Sequence, residues 1–231
     1  MRLAQAQQVI QLQIRQHKAI LTRLAQIYRN PLNSFMIHLL SSFFGGTPVP
    51  EFETYPIKIA GVQRHLRLFE IKPGLRIAIL NILGDTELVQ AAAKALAKAL
   101  ASVEFDILVT AEAKSIPLAY ALAVETRKPY IVLRKSYKPY MGAALIAETL
   151  SITTGEPQTL IMDEKDQEMV RNKKAVLVDD VISTGSTLQG MKMIMEKAAA
   201  QVVCEAAILT EGERARWDHI IALGHLPLFT N

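Results

Sequence analysis

Two adjacent carboxylates stand between an apolar run and a loop rich in hydroxyl groups. Asp179 and Asp180 directly follow residues 176–178, an apolar run typical of a buried strand. Five residues form the loop that opens the next predicted helix: Ser183, Thr184, Gly185, Ser186 and Thr187. Backbone N–H groups at a helix start favour a phosphate, and open α/β sheets bind ligands at this edge. Because two carboxylates would repel a phosphate, we expect them to accept hydrogen bonds from sugar hydroxyls at a solvent-facing strand end.

Two other segments with charged residues also follow predicted strands. The first comes after the strand at 107–110 and consists of Glu112, Ala113, Lys114 and Ser115. The second, Arg134 and Lys135, follows the strand at 130–133. Taken alone, the first pattern is typical of a capped turn and the second of an ordinary basic surface. Two cations at a strand end can also offset the charge of a leaving group.

Strands and helices alternate through most of the chain after residue 75. Helices are expected at about 86–101, with Asp85 or Thr86 as the cap, at 117–125 and from the hydroxyl loop to about 200. The strands that alternate with them are at 76–83, 107–110, 130–133, 175–178 and 202–209. This order predicts an α/β fold with a mainly parallel sheet flanked by helices. Extended runs at 146–153 and 158–162 interrupt the pattern and predict a long hairpin that rises off the sheet.

The first 50 residues differ in charge from the rest of the chain. They contain five basic residues and no Asp or Glu, whereas the whole chain has a formal net charge of +4. Apolar spacing predicts helices at about 3–28 and 34–44, and hence an N-terminal helical hairpin at 1–50 ahead of a larger domain at 51–231. Such a basic segment is typical of a solvated helix face, and it also fits an acidic partner such as nucleic acid.

Composition indicates a soluble protein of the cytoplasm. Half of the 231 residues are apolar, enough for one sizeable core. The single cysteine, Cys204, excludes an intrachain disulfide and fits a reducing compartment. The longest apolar stretch near the N-terminus, residues 35–44, is too short to cross a bilayer.

Residues 176–188 resemble the sequence signature of the type I phosphoribosyltransferases, in which an apolar strand precedes two acidic residues and a small-Thr-Gly-small-Thr loop. The resemblance implies the fold of that family, with a small hood over the sheet, and 5-phosphoribosyl-1-pyrophosphate as donor. It further implies that Asp179 and Asp180 hold the ribose hydroxyls as catalytic residues. The loop residues Ser183, Thr184, Gly185, Ser186 and Thr187 would hold the 5′-phosphate.

The same resemblance gives roles to the two charged segments. Glu112, Ala113, Lys114 and Ser115 correspond to the pyrophosphate-binding loop, with a cis peptide expected between Ala113 and Lys114. Ser115 stands where purine members commonly have Gly. Arg134 and Lys135 correspond to a basic pair that meets the pyrophosphate. The hairpin at 137–162 corresponds to a mobile catalytic loop, with Lys138 as a catalytic candidate and Tyr140 and Glu148 as further contacts.

Cofactor and substrate follow from the family in the same way. Mg²⁺ is expected to be held mainly by the donor and by water, with no cluster of protein ligands. Hood segments at 55–69 and 211–229 would read the base, where Trp217 can either stack on the base or anchor the packing. The resemblance is to the adenine and xanthine branch, which favours adenine, with xanthine or hypoxanthine as alternatives, and a homodimer as the assembly.

Two other interpretations remain open. The same branch includes a purine-operon repressor that keeps the signature as an effector site and adds an N-terminal DNA-binding domain. Two helices without a clear β-wing are few for a winged helix, so the enzyme is the favoured interpretation. An orotate-type pyrimidine enzyme ranks third, because residues 142–162 lack the Lys-rich and Gly-rich loop typical of it.

Overall fold

The computed structural model describes residues 52–150 and 157–230. The predicted helical hairpin at 1–50 therefore lies outside the described residues. Glu53–Asn231 fold as one compact unit. None of the helices in the described ranges is both long and apolar enough to cross a bilayer.

A five-stranded parallel sheet forms the centre of this unit. Its order is β10-β9-β8-β4-β5. The strands span Ile107–Ala111 (β4), Tyr130–Leu133 (β5), Lys174–Ile182 (β8), Gln201–Glu211 (β9) and Ile221–Leu226 (β10). All five residues of β4 are buried, as expected for a strand covered on both faces. The predicted α/β architecture, with a parallel sheet flanked by helices, is confirmed.

Alternating side chains of the central strand divide the core into two halves. Val176 and Val178 pack toward α1 (Thr86–Ala99) and α2 (Ile116–Thr126). Leu177 packs on the opposite side, toward α4 (Ser186–Lys197) and the short α3 (Glu164–Val170). This alternation follows from the period of two in a strand, and it buries both faces of the sheet under helices.

A second sheet, the hood, is built from both ends of the described chain. Its antiparallel order is β1 (Thr54–Ile59), β2 (Val62–Lys72), β3 (Leu75–Ile79) and β11 (Phe229–Thr230). Arg64 on β2 pairs with Asp85 at 2.7 Å and with Glu87 at 2.8 Å. Asp85 also caps α1 by accepting from the Leu88 N–H, so two ion pairs of Arg64 join the hood to the start of the first helix.

The prediction of a strand at 76–83 was wrong about the sheet that the strand joins and about the residue at which it ends. The observed β3 stops at Ile79 and belongs to the hood, where it pairs antiparallel with β2. Leu80 and Ile82 leave the hood and are buried in the core beside α1. Apolar periodicity marked them as buried, but it could not distinguish a strand from an extended connection between two sheets.

The hairpin of β6 (Leu145–Leu150) and β7 (Pro157–Met162) packs along α4. Ala147, Thr149 and Leu160 are buried on the packed side. A Cβ at Gly190 would lie 2.9 Å from Leu160 Cδ1, so the glycine permits the close approach of helix and hairpin. The predicted hairpin is confirmed as a separate two-stranded antiparallel sheet. Its packing along α4 was not expected, and it follows from the buried face of its strands.

Candidate active site

The carboxyl ends of β4, β5 and β8 bring the three predicted segments to one edge of the sheet. Strand β8 continues through both acidic residues, and Asp179 pairs in register with Ala207 of β9. Asp179 is 9% exposed and Asp180 7% exposed. The expectation of a solvent-facing strand end was wrong, since the ladder extends past the carboxylates and the neighbouring loop covers them.

Ser115 connects the loop after β4 to both carboxylates. Its hydroxyl donates to Asp179 Oδ1 at 2.6 Å, with a longer contact of 3.1 Å to Asp180 Oδ1. It also accepts from the Asp180 N–H at 3.0 Å. Ser115 is itself 2% exposed, so these bonds lie in a nearly dry environment where they are strong. A glycine, common here in the purine members, could make none of them.

The two carboxylates differ in their hydrogen-bond partners. Burial and the neighbouring Asp180 charge raise the pKa of Asp179 to about 7, although the Ser115 hydrogen bond opposes the rise. Among the described residues no group donates a hydrogen bond to the buried Asp180 Oδ2 atom, and Lys114 Nζ forms an ion pair with it at 3.7 Å. One buried acceptor oxygen is thus unoccupied, as a site for a hydroxyl donor requires.

The hydroxyl loop bends around Gly185 at the start of α4. Gly185 has φ +82°, and a Cβ there would lie 3.0 Å from Trp217 Cη2. Trp217 is 9% exposed and its indole N–H donates to the Glu211 carbonyl at 2.8 Å, so its role here is packing rather than stacking on a ligand. The loop encloses a small cavity of about 30 Å³.

The hydroxyl groups of the loop are not equivalent. Ser183, Thr184 and Thr187 line the small cavity. Ser186 does not line it; its buried hydroxyl lies 3.0 Å from the Thr184 hydroxyl and 3.5 Å from the Gln158 carboxamide oxygen. The geometry gives Ser186 a part in shaping the loop.

Gln158 of the hairpin is a neighbour of the loop that sequence reasoning missed. Its side-chain nitrogen donates to Thr187 Oγ1 at 3.3 Å. No local pattern marks this residue, because its position depends on how the hairpin packs against α4.

Glu112 organises the basic pair. Arg134 Nε donates to Glu112 Oε2 and the Lys135 N–H to Oε1, both at 2.6 Å. Burial pushes the pKa of Glu112 up, but the hydrogen bonds from Lys135 and Arg134 outweigh it and leave that pKa below its usual value. Glu112 is therefore an ionised group that fixes the direction of the Arg134 guanidinium and binds the backbone of Lys135.

The peptide bond between Glu112 and Ala113 is cis. It was expected one bond later, between Ala113 and Lys114. Positional analogy located the loop, but it could not locate an individual bond within it.

The three candidates from the hairpin region lie at its surface. Lys138 and Tyr140 are exposed beside a short 3-10 helix, Pro139–Met141. The pKa of Arg134 is raised mainly by Glu112 and further by Tyr140, which places the phenol close to the basic pair. Glu148 is exposed on the strand face turned away from α4, and no hydrogen bond or ion pair joins it to the site within the described residues.

A larger cleft of about 760 Å³ extends from the hydroxyl loop toward the hood. Ser183 and Thr184 line its floor. The other lining residues are mostly apolar hood side chains and charged groups after β9: Phe69, Ile71, Lys72, Leu75, Ile77, Glu211, Gly212, Glu213, Arg216 and Leu228. Phe69 is 51% exposed and Leu228 45% exposed. Exposed apolar side chains around a concave site fit a flat, largely apolar ligand.

The donor set at this edge suits a divalent cation that is bound through a substrate. No three His, Cys, Asp or Glu side chains converge as a metal-binding group in the described ranges. The unpartnered Asp180 Oδ2 can accept from a metal-bound water, and Mg²⁺ commonly keeps several waters and binds through few carboxylates. The residues present therefore fit Mg²⁺ carried by a phosphorylated ligand.

Comparison with known proteins agrees with this arrangement. A family model described as phosphoribosyl transferase domain matches residues 79–222. The chain is 28% identical over 143 residues to the purine biosynthesis transcriptional repressor of Bacillus subtilis, covering 62% of this chain and 49% of the repressor. It is 30% identical over 151 residues to the adenine phosphoribosyltransferase of Thermosipho africanus, covering 63% and 85%. It is 32% identical over 108 residues to the hypoxanthine/guanine phosphoribosyltransferase of Methanococcus voltae, covering 47% of this chain and 54% of that enzyme. The chain thus spans about half the length of two of these three relatives.

Solved structures show the same fold. Adenine phosphoribosyltransferase of Thermoanaerobacter pseudethanolicus superposes with a TM-score of 0.54 at 21% identity, covering 75% of this chain and 95% of that one. The enzyme of Giardia lamblia, in complex with 9-deazaadenine, superposes with a TM-score of 0.54 at 15% identity, covering 74% of this chain and 93% of that one. The expected type I fold is confirmed, and with a family match over more than half of its length, this chain belongs to the phosphoribosyltransferase family.

Proposed function

We propose that the protein is a purine phosphoribosyltransferase. It would transfer the 5-phosphoribosyl group of 5-phosphoribosyl-1-pyrophosphate to a ring nitrogen of a free purine and release pyrophosphate. The observation that carries the proposal is the meeting of three groups at one sheet edge: the paired carboxylates, the hydroxyl loop, and the basic pair held by Glu112.

Each group suits one part of the donor. The loop cavity at Ser183, Thr184 and Thr187 suits the 5′-phosphate at a helix start. The Asp180 Oδ2 atom, which accepts no hydrogen bond from the described residues, suits a ribose hydroxyl. Arg134 and Lys135 suit the pyrophosphate, whose negative charge grows as it leaves.

The transfer develops positive charge on the ribose, as glycoside hydrolysis does. The paired carboxylates, held in place by Ser115, lie where they can orient the ribose while that charge develops. Mg²⁺ bound to the donor would neutralise part of the pyrophosphate charge. The exposed apolar hood residues would cover the base and keep water from the reacting carbon.

Adenine is the favoured base, with hypoxanthine and xanthine as alternatives, and salvage of free bases as the context. The adenine enzyme of Thermosipho africanus supports this choice, since 85% of its length is matched. Release of pyrophosphate, with Mg²⁺ present, should be measured separately with adenine, hypoxanthine, guanine, xanthine and orotate. Turnover with a purine supports the proposal, whereas donor binding without turnover on any base contradicts it.

A second candidate is a regulator that senses the same donor. It is favoured by the match to the Bacillus subtilis repressor and by the basic, acid-free residues 1–50. The full chain would then bind duplex DNA with an affinity that falls steeply with salt and changes on addition of the donor. Absence of such binding at low salt would eliminate the regulator. Homodimer formation, expected under either function, is testable by sedimentation.

A further inference from the structure

Glu211 is a buried residue whose carboxyl group borders the large cleft and has no partner among the described residues. Glu211 ends β9 and is 7% exposed, and it lines the cleft beside Ser183 and Thr184. Within the described residues its carboxylate accepts no hydrogen bond and forms no ion pair. Its backbone carbonyl is occupied, since it accepts from the Trp217 indole. The main chain of Glu211 is thus fixed while its acidic group has no partner.

Such a group is costly to keep unless something binds it. Among the residues of the cleft, this carboxyl group is held largely away from bulk water but open to a ligand. A polar group in such surroundings is stabilised most by a ligand that supplies a hydrogen bond. Burial raises the pKa of Glu211, and no neighbouring cation lowers it. The basic residues of the cleft, Lys72 and Arg216, are exposed, and within the described ranges neither forms an ion pair with this carboxyl group.

The surroundings define what the partner must be. The other walls of the cleft are the apolar hood side chains Phe69, Ile71 and Ile77, which suit the faces of a flat ring. Among the residues that line the cleft, Glu211 is the most deeply buried polar side chain. A carboxyl group accepts hydrogen bonds, so the ring must carry an N–H donor where it meets Glu211.

We propose that Glu211 is a specificity-determining residue that accepts a hydrogen bond from the 6-amino group of the base, and so selects adenine over purines that lack a donor at position 6. This inference rests on the proposed function, because it takes the cleft as the base site. It also accounts for exclusion of orotate, whose own carboxylate would be repelled by Glu211.

The test compares adenine with 6-methylpurine, which has nearly the same shape and lacks the amino donor. In the unchanged protein, kcat/KM for adenine should exceed that for 6-methylpurine at least tenfold, since a site built for an N–H donor rejects a base without one. Glu211→Ala should lower the value for adenine at least tenfold and leave that for 6-methylpurine within about threefold. Glu211→Gln keeps one acceptor oxygen, so its kcat/KM for adenine should lie between the values of the unchanged protein and of Glu211→Ala.

Controls separate this role from a structural one. Glu104→Gln is a matched exposed variant, because Glu104 is 88% exposed before the amino end of β4, and it should leave both values unchanged. Removal of an unpartnered buried acid should leave the melting temperature equal or higher, so a lower melting temperature with unchanged selectivity would overturn the inference. Equilibrium binding of both bases by calorimetry provides the same comparison without turnover.

Failure of the inference and failure of the proposed function give different results. If the unchanged protein neither binds nor converts any base, both are overturned. If it converts adenine, and Glu211→Ala keeps the preference over 6-methylpurine, only the role of Glu211 is overturned. Loss of that preference in Glu211→Ala alone supports the inference.

Discussion

Substitution of Ser115 by alanine tests the link between the loop after β4 and the acidic pair. The hydroxyl donates to Asp179 at 2.6 Å and accepts from the Asp180 N–H, and both bonds vanish in Ser115→Ala. The Asp180 N–H keeps a second acceptor in Asp179 Oδ1 at 2.9 Å, so it is not orphaned. The loss is therefore mainly one hydrogen bond to a charged group, about 2 kcal/mol of the free energy of unfolding.

The cost should depend on pH, because the hydrogen bond favours the ionised form of Asp179. Its pKa is about 7, so the carboxyl is mostly neutral at pH 5.5 and mostly ionised at pH 8.5. Urea unfolding should give a loss of about 2 kcal/mol at pH 8.5 and roughly half of that at pH 5.5.

Thr110→Val is the matched control for this measurement. Thr110 is fully buried on β4 and donates a neutral hydrogen bond of 2.8 Å to the Val178 carbonyl. Its loss should cost about 1 kcal/mol at both pH values. If Ser115→Ala also costs the same at both, its hydroxyl does not act on the charge of Asp179, and the reasoning fails.

Further predictions concern the rest of the site. The pKa of Asp179 is higher in the folded state than its value near 3.8 in the unfolded state. The contribution of Asp179 to the free energy of unfolding should therefore be greatest below pH 4 and decline up to about pH 7. Asp179→Asn should flatten the pH dependence of the unfolding free energy measured in urea. Asp179→Asn combined with Asp180→Asn should abolish turnover while circular dichroism stays unchanged, and retained activity would refute the site. Gly185→Ala should lower the unfolding free energy by more than Gly74→Ala, which has a similar φ of +76° but open space around its Cβ position. Glu112→Gln should raise KM for the donor roughly tenfold, with a smaller change in kcat, because the Arg134 guanidinium loses its ion pair and its fixed orientation.

Local patterns predicted the parts of the site that one stretch of chain builds. The apolar run before Asp179 fixed a buried strand, and Gly185 marked the turn into the next helix, where its φ of +82° is observed. The strand was nevertheless predicted to end at 178, whereas β8 continues to Ile182. In a sequence pattern, adjacent acidic residues usually indicate that a strand has ended. Here Asp179 and Asp180 remain in the strand because β8 pairs with β9 and Ser115 covers their carboxylates.

Contacts between distant elements could not be predicted in the same way. Gln158 reaches the hydroxyl loop only because the hairpin packs on α4 through Thr149 and Leu160. Glu211 reaches the cleft only because Trp217 and the hood enclose the end of β9. Neither residue belongs to a recognisable motif. The position of Gln158 follows from side-chain packing between elements more than 25 residues apart in sequence. The position of Glu211 follows from the convergence of the two sheets.

Ser115 illustrates why a departure from a family pattern is informative. From sequence alone, a serine in place of the common glycine left the geometry of the loop in doubt. In the fold, that hydroxyl contacts both carboxylates and couples the loop after β4 to the end of β8. A glycine loop would leave the acidic pair free to move toward the ribose, whereas this serine holds the pair in place before any donor arrives. Preorganisation of that kind lowers the cost of ordering the site during catalysis, so we expect the substitution to support transfer rather than to abolish it.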